Sequence, residues 1–138
     1  IIPILLFEQN LIIYGVAAVV GHIYPIFYKF KGGKGVATYL GVYVAFTIVN
    51  PIGSILFENL YFLYLNIPIL VLFYFVIFRI SRVSAIASLS TVLISNALLI
   101  YEVGETPDKL LITFIFVLIV FKHYENIKRL IQGNENKF

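Results

Sequence analysis

Apolar residues come in long runs along this chain, and the polar residues between them fall in short clusters. Residues 1–7 (IIPILLF) are too few to cross a bilayer and read as the tail of a preceding helix. Full blocks follow at about Leu11–Tyr28, Val36–Val49, Leu60–Phe78, Ser84–Tyr101 and Leu110–Phe121. KFKGGKG separates the first two, Asn50-Pro51-Ile52-Gly53 ends the second, and Arg79 ends the third. None alternates with period two, which excludes the strands of a membrane barrel. A helix needs about 20 apolar residues to cross the hydrocarbon, with a range of roughly 17 to 25. Two blocks are short of that. The pattern predicts an all-α, polytopic transmembrane bundle of about five full spans plus part of a preceding helix. It forms one integral-membrane domain over 1–138, closed by a cytoplasmic interfacial tail over 122–138.

Composition supports this. Hydrophobic residues make up 61% of the chain and charged residues 12%, with a mean hydropathy of +0.98. Soluble domains run nearer half and a quarter, so a typical soluble domain, a disordered segment and a coiled coil are excluded. There is no cysteine, which removes disulfides and thiol catalysis. The chain starts within a hydrophobic run at Ile1, as the remainder of a longer protein would.

The net charge of +3 means less than where the charges fall. Numbering the connections alternately puts Lys29, Lys31, Lys34, Arg79, Arg82, Lys122, Lys128, Arg129 and Lys137 on one side and only Lys109 on the other. Lysine and arginine are enriched in cytoplasmic loops, so the first side is cytoplasmic. A missed or extra span would scramble this division. Topology and anionic head groups account for many of these cations, but not for the glycines between them.

Three polar constellations share that side. The first is Gly21-His22-Ile23-Tyr24-Pro25 followed by Phe30-Lys31-Gly32-Gly33-Lys34-Gly35-Val36-Ala37-Thr38. Glycines at a helix start expose backbone N–H groups, which with two lysines suit a phosphate. A tight turn carrying topological lysines explains the same residues. His22 lies near the end of its apolar block, either as a functional polar group or bonded to a neighbouring helix. The second constellation is Arg79, Arg82, Ser84 and Ser88. Its serines are four apart, hence on one helix face. Ser84 otherwise reads as an N-cap, and Ser88 as small-residue packing. The third is His123-Tyr124-Glu125-Asn126 through Gly133-Asn134-Glu135. Ile127, Leu130 and Ile131 make a short amphipathic helix there. His123 and Asn126, three apart, suit a phosphate or hydroxyl; a solvated tail is the alternative.

An enzyme on a phosphorylated, lipid-linked substrate needs a phosphate cradle beside acyl chains, and this pattern supplies one. A transporter would place polar groups at mid-span on broken helices, where this chain has only Thr47, Ser90, Thr91, Ser95, Asn96 and Thr113. A structural subunit would show no polar concentration. Nucleic-acid binding fits worst, because the aromatics lie in the spans, apart from the cations.

GHIYPIFYKFKGGKGVAT, RVSAIAS and HYENIKRLIQGNENKF resemble the signatures of the bacterial acyl-phosphate:glycerol-3-phosphate acyltransferases, the PlsY family. The resemblance runs over essentially the whole chain. It implies a seven-span protein of the bacterial cell (cytoplasmic) membrane with its active site facing the cytoplasm. The family's Gly-Ser-Gly-Asn loop and following arginine are absent here. The chain is therefore expected to lack roughly its N-terminal third and to be inactive alone. The resemblance implies acyl transfer from acyl-phosphate to the 1-hydroxyl of sn-glycerol 3-phosphate. The products are lysophosphatidic acid and phosphate, in the first acylation of phospholipid synthesis. It implies no cofactor, metal or nucleic acid, and a functional link to the enzyme supplying acyl-phosphate. Residue by residue, Lys34 matches the lysine on glycerol phosphate, with Gly32, Gly33 and Gly35 shaping its loop. Lys31, Thr38 and His22 join that substrate-binding set. His123, Asn126, Ser84 and Ser88 are the catalytic candidates, and Glu135 matches a structural glutamate. The family's second serine falls three residues after the first, where this chain has Ala87 and then Ser88. Either the helix register shifts or Ser88 reaches the same space.

Overall fold

Pro25 decides where the first apolar block stops being helical. Lacking an N–H, it cannot continue the ladder, so α1 (Leu11–Ile23) ends two residues earlier. A 3₁₀ turn over Ile26–Tyr28 follows. A computed structural model describes residues 11–49, 65–104 and 106–138. Residues 1–7, Asn50-Pro51-Ile52-Gly53 and the start of the predicted third span lie outside those.

Four more helices match the remaining apolar blocks to within a few residues: α2 (Val36–Val49), α3 (Asn66–Ser81), α4 (Ser84–Glu102) and α5 (Thr106–Lys122). A short helix, α6 (Tyr124–Ile131), leaves α5 at 53°. By length and composition α1 with its turn and α4 suffice to cross a membrane, and the bent α5–α6 pair also qualifies when taken as one span. The described parts of α2 and α3 have 14 and 16 residues, about 21 and 24 Å against a core of about 30 Å.

The bundle is apolar on both sides. Inside, Val19, Ile23, Tyr39, Val92, Leu99, Ile112 and Ile119 are buried where α1, α2, α4 and α5 meet. Outside, Ile69, Leu72, Phe75, Leu93, Phe114 and Val117 are all more than half exposed. A soluble protein rarely tolerates so much exposed hydrocarbon, whereas a lipid-facing surface requires it. The mid-span polar residues behave as internal packing. Tyr39 Oη donates to Asn96 Oδ1 across α2 and α4 at 3.2 Å. Thr47, Thr91 and Ser95 donate to carbonyls of their own helices at 2.8–2.9 Å, so these three hydroxyls are satisfied without water.

Three cationic connections assemble at one end. The Lys29–Lys34 loop reaches α6, Lys122 lies 4.2 Å from the Tyr24 ring centroid, and Phe138 reaches the α3–α4 turn. Residues 122–138 therefore do not trail away. They form α6 and a segment that folds back over the bundle.

Candidate functional site

The loop between α1 and α2 takes its shape from close backbone packing. A side chain on Gly32 would fall on the His22 carbonyl oxygen, with Pro25 Cδ at 2.5 Å and the Ile23 oxygen at 2.7 Å. One on Gly33 would strike the His22 imidazole. Gly35 holds φ +83° directly before α2, a conformation costly for any residue with a Cβ. The tight turn accounts for Gly32 and Gly33, and it aims Lys34 across the bundle.

Lys34 Nζ donates to Asn126 Oδ1 at 2.5 Å, joining positions 92 residues apart. The reason is Glu135. Its carboxylate accepts from Asn126 Nδ2 and from Arg129 Nε, each at 2.6 Å. A carboxylate only accepts, so the Asn126 amide must turn its NH₂ to Glu135 and its oxygen to Lys34. The Glu135 side chain is 7% exposed. The bonds from Arg129 and then Asn126 hold its pKa below the ordinary 4.5. A depressed carboxylate contributes stability that is present above its unfolded pKa and is lost as pH falls through the folded one. Thermal unfolding should therefore show an acid-sensitive increment below about pH 4.5 that Glu135→Gln removes.

His123 follows the last residue of α5 and holds the N-cap position of α6, 1% exposed and making no side-chain capping bond. Its Nδ1 lies 2.8 Å from the Ile119 carbonyl oxygen. A carbonyl can only accept, so Nδ1 carries the proton. Burial lowers the pKa of His123, Ile119 opposes, and the Lys34 charge lowers it further. The ring is thereby held neutral with Nε2 as an acceptor, suited to a hydroxyl. Burial likewise pulls Lys34 below its ordinary value; Glu135 opposes this and Arg129 adds to it.

Lys34 and His123 line a polar pocket of about 330 Å³ together with His22, Gly35, Ser84 and Ser88. It adjoins a cleft of about 380 Å³ between α2, α3 and α4. Leu40, Val44, Ile67, Leu70 and Val71 line the cleft beyond the junction, with Tyr43 and Thr91. Val36, Ala37, Tyr74 and Ser88 belong to both cavities. Ser84 is the first residue of α4, while Val83 holds the cap position, so the capping alternative for Ser84 fails. Ser88 Oγ donates to the Ser84 carbonyl at 2.8 Å. Ala87 is fully buried, whereas Ser88 lines the pocket.

Of the expected residues, Gly32, Gly33 and Asn126 shape the pocket without lining it, and two fall elsewhere. Thr38 lies on another face of α2, in a groove with Ala18, Gly41 and Val42. Lys34 precedes α2, and Thr38 lies about 200° round the helix axis from Val36, which lines the pocket. Lys31 is exposed and does not line the pocket; only its backbone is tied, to Tyr28. Two residues were given no site role in the sequence, Arg129 counting there only as a topological cation. Arg129 holds Glu135, a pairing six positions apart that depends on a turn. Tyr74 stands at the cavity junction but sits unremarked in an apolar run.

Fold and site define an integral membrane protein with a cationic pocket running into an apolar cleft. The family model described as glycerol-3-phosphate acyltransferase matches residues 1–133, and the chain belongs to that family. It is 39% identical over 123 residues to a glycerol-3-phosphate acyltransferase of Vibrio campbellii, covering 88% of this chain and 51% of that one. A second, from Aquifex aeolicus, is 39% identical over 125 residues, covering 90% and 56%. The chain spans about half the length of these curated relatives. Among solved structures, it is similar to crystal structures of PlsY, an integral membrane glycerol 3-phosphate acyltransferase. The glycerol 3-phosphate form gives a TM-score of 0.77 at 32% identity, covering 99% of this chain and 64% of that one. The lysophosphatidic acid form gives 0.76 at 32% identity, covering 99% and 65%.

Proposed function

We propose that this chain carries the substrate pocket of a membrane acyltransferase. The enzyme moves a fatty acyl group from acyl-phosphate to the 1-hydroxyl of sn-glycerol 3-phosphate, with the pocket on the cytoplasmic side. One observation carries this reading: the Lys34–Asn126 bond at the head of a cavity that turns from polar to apolar at Ser88. An anionic head needs the first part and a hydrocarbon tail the second. The relatives named glycerol-3-phosphate acyltransferase and the two ligand forms of PlsY support glycerol 3-phosphate as the acceptor and lysophosphatidic acid as the product.

The chemistry asks little of the protein beyond position and charge. The acceptor hydroxyl oxygen attacks the acyl carbon, the carbon–oxygen bond to phosphate breaks, and the hydroxyl proton passes to a phosphate oxygen. Lys34 neutralises phosphate charge, and Asn126 holds Lys34 in place. Neutral His123 accepts the hydroxyl's hydrogen bond and orients it. Ser84 and Ser88 present hydroxyls where the acyl carbonyl enters the cleft. Lysophosphatidic acid and phosphate leave, and a reaction making acyl-phosphate must supply the donor.

The test measures phosphate released from palmitoyl phosphate by the purified chain in nanodiscs. A parallel sample completes the chain with the remaining sequence of the Aquifex relative. Release that depends on glycerol 3-phosphate is expected from the completed protein; release independent of it, or none, rejects the reading. Leu40→Trp, which fills the cleft, should cut turnover of palmitoyl phosphate about tenfold or more while sparing butyryl phosphate, since overfilling a packed site excludes the longer ligand. Equal loss on both donors would show that the chain lies elsewhere.

A further inference from the structure

The segment after α6 ties together parts of the site that the helices hold separately. α6 closes with Gly133 at φ +72°, and the Asn134 N–H reaches back to the Arg129 carbonyl at 2.8 Å. This 6→1 bond over a left-handed residue reverses the chain. Glu135 then lands on Asn126 and Arg129. Three residues later the Phe138 N–H donates to the Arg82 carbonyl at 2.9 Å, and its ring centroid lies 6.1 Å from that of Phe78.

Arg82 needs that partner. It ends α3 at φ +54°, a left-handed cap without glycine, a conformation that persists only where the surroundings impose it. Arg82 is also two residues before Ser84, the serine wall of the pocket. At the other end of the segment, Glu135 sets Asn126 and through it Lys34, the cationic wall. One stretch of six residues thus spans both walls.

We infer that residues 133–138 act as a positioning strap that sets the width of the anion pocket, with Phe138 as its anchor on the α3–α4 turn. Phe138 touches no substrate. Its effect passes through Arg82 to Ser84, while Glu135 works on the opposite wall. The inference rests on the pocket being an anion site, and the test separates the two.

Spin labels at Ile80 and Ile131, both more than three-quarters exposed, read the distance between the turn and α6 in the nanodisc-embedded chain. Titration with inorganic phosphate and with sn-glycerol 3-phosphate reads the pocket. Phe138→Pro removes the donor N–H and Phe138→Ala removes the ring; Phe138→Trp keeps both. The first two should broaden the distance distribution and weaken both anions about tenfold, since small misplacements are amplified in a preorganised site. Helix content should stay constant, and Phe138→Trp should restore both readouts. An unchanged distribution overturns the strap. A broadened distribution with unchanged anion affinity overturns its positioning role. Absence of anion binding by the unsubstituted chain overturns the pocket itself, and the inference with it.

Discussion

Lys34→Ala should weaken binding of sn-glycerol 3-phosphate by about ten- to a hundredfold, since a charge-assisted hydrogen bond is worth roughly 1.5–3 kcal/mol. Calorimetric titration of the chain in nanodiscs measures this, and KM reports it wherever turnover is measurable. The variant loses the one lysine or arginine that lines the polar pocket among the described residues, and Asn126 Oδ1 loses its donor. Folding should change less, because Lys34 comes from a loop and its stem leaves no core cavity. Lys34→Arg should recover little, because a planar fork does not fit where a compact ammonium meets one amide oxygen. The pH dependence has a definite sign. Burial lowers the pKa of Lys34, so the ammonium deprotonates below the usual 10.5. Affinity for the anion should fall as pH rises through that lowered value. The alanine variant should lack this alkaline limb. Unchanged affinity in Lys34→Ala would reject the assignment.

Gly32→Ala should be comparably severe for a different reason. The added methyl meets the carbonyl oxygens of His22 and Ile23 and the ring of Pro25, none of which is a flexible tip. The loop must therefore move, taking Lys34 with it. Anion binding should fall by about tenfold or more, with a lower melting temperature. Gly33→Ala meets only the His22 imidazole, which can swing aside, so its effect should be smaller. Gly21→Ala is the control, since nothing lies within 4 Å of its added carbon. Equal effects at Gly32 and Gly21 would mean that backbone crowding does not shape the site.

How much of this was legible beforehand depends on the range of the interaction. The helices were readable because apolar runs and their breakers act locally: α2 runs over the predicted Val36–Val49, and Pro25 stops α1. The shared side of the three polar constellations was readable too, since alternate connections of a bundle return to the same face. The error at Thr38 has the same origin. Spacing puts it close to Lys34 along the chain, but the helical rotation that begins at Val36 faces it toward Ala18 and Gly41.

By itself the sequence determined the class of protein. Hydrocarbon cannot satisfy a bare backbone, so long apolar runs can only become helices, and the cations sort those helices by side. Only the tertiary structure decided the site. Serine at position 88 rather than 87 faces the pocket because α4 buries Ala87 against its neighbours. Lys34 finds Asn126 because Glu135 fixes which end of the amide faces it. Those are relations between segments distant along the chain, and packing alone brings them together.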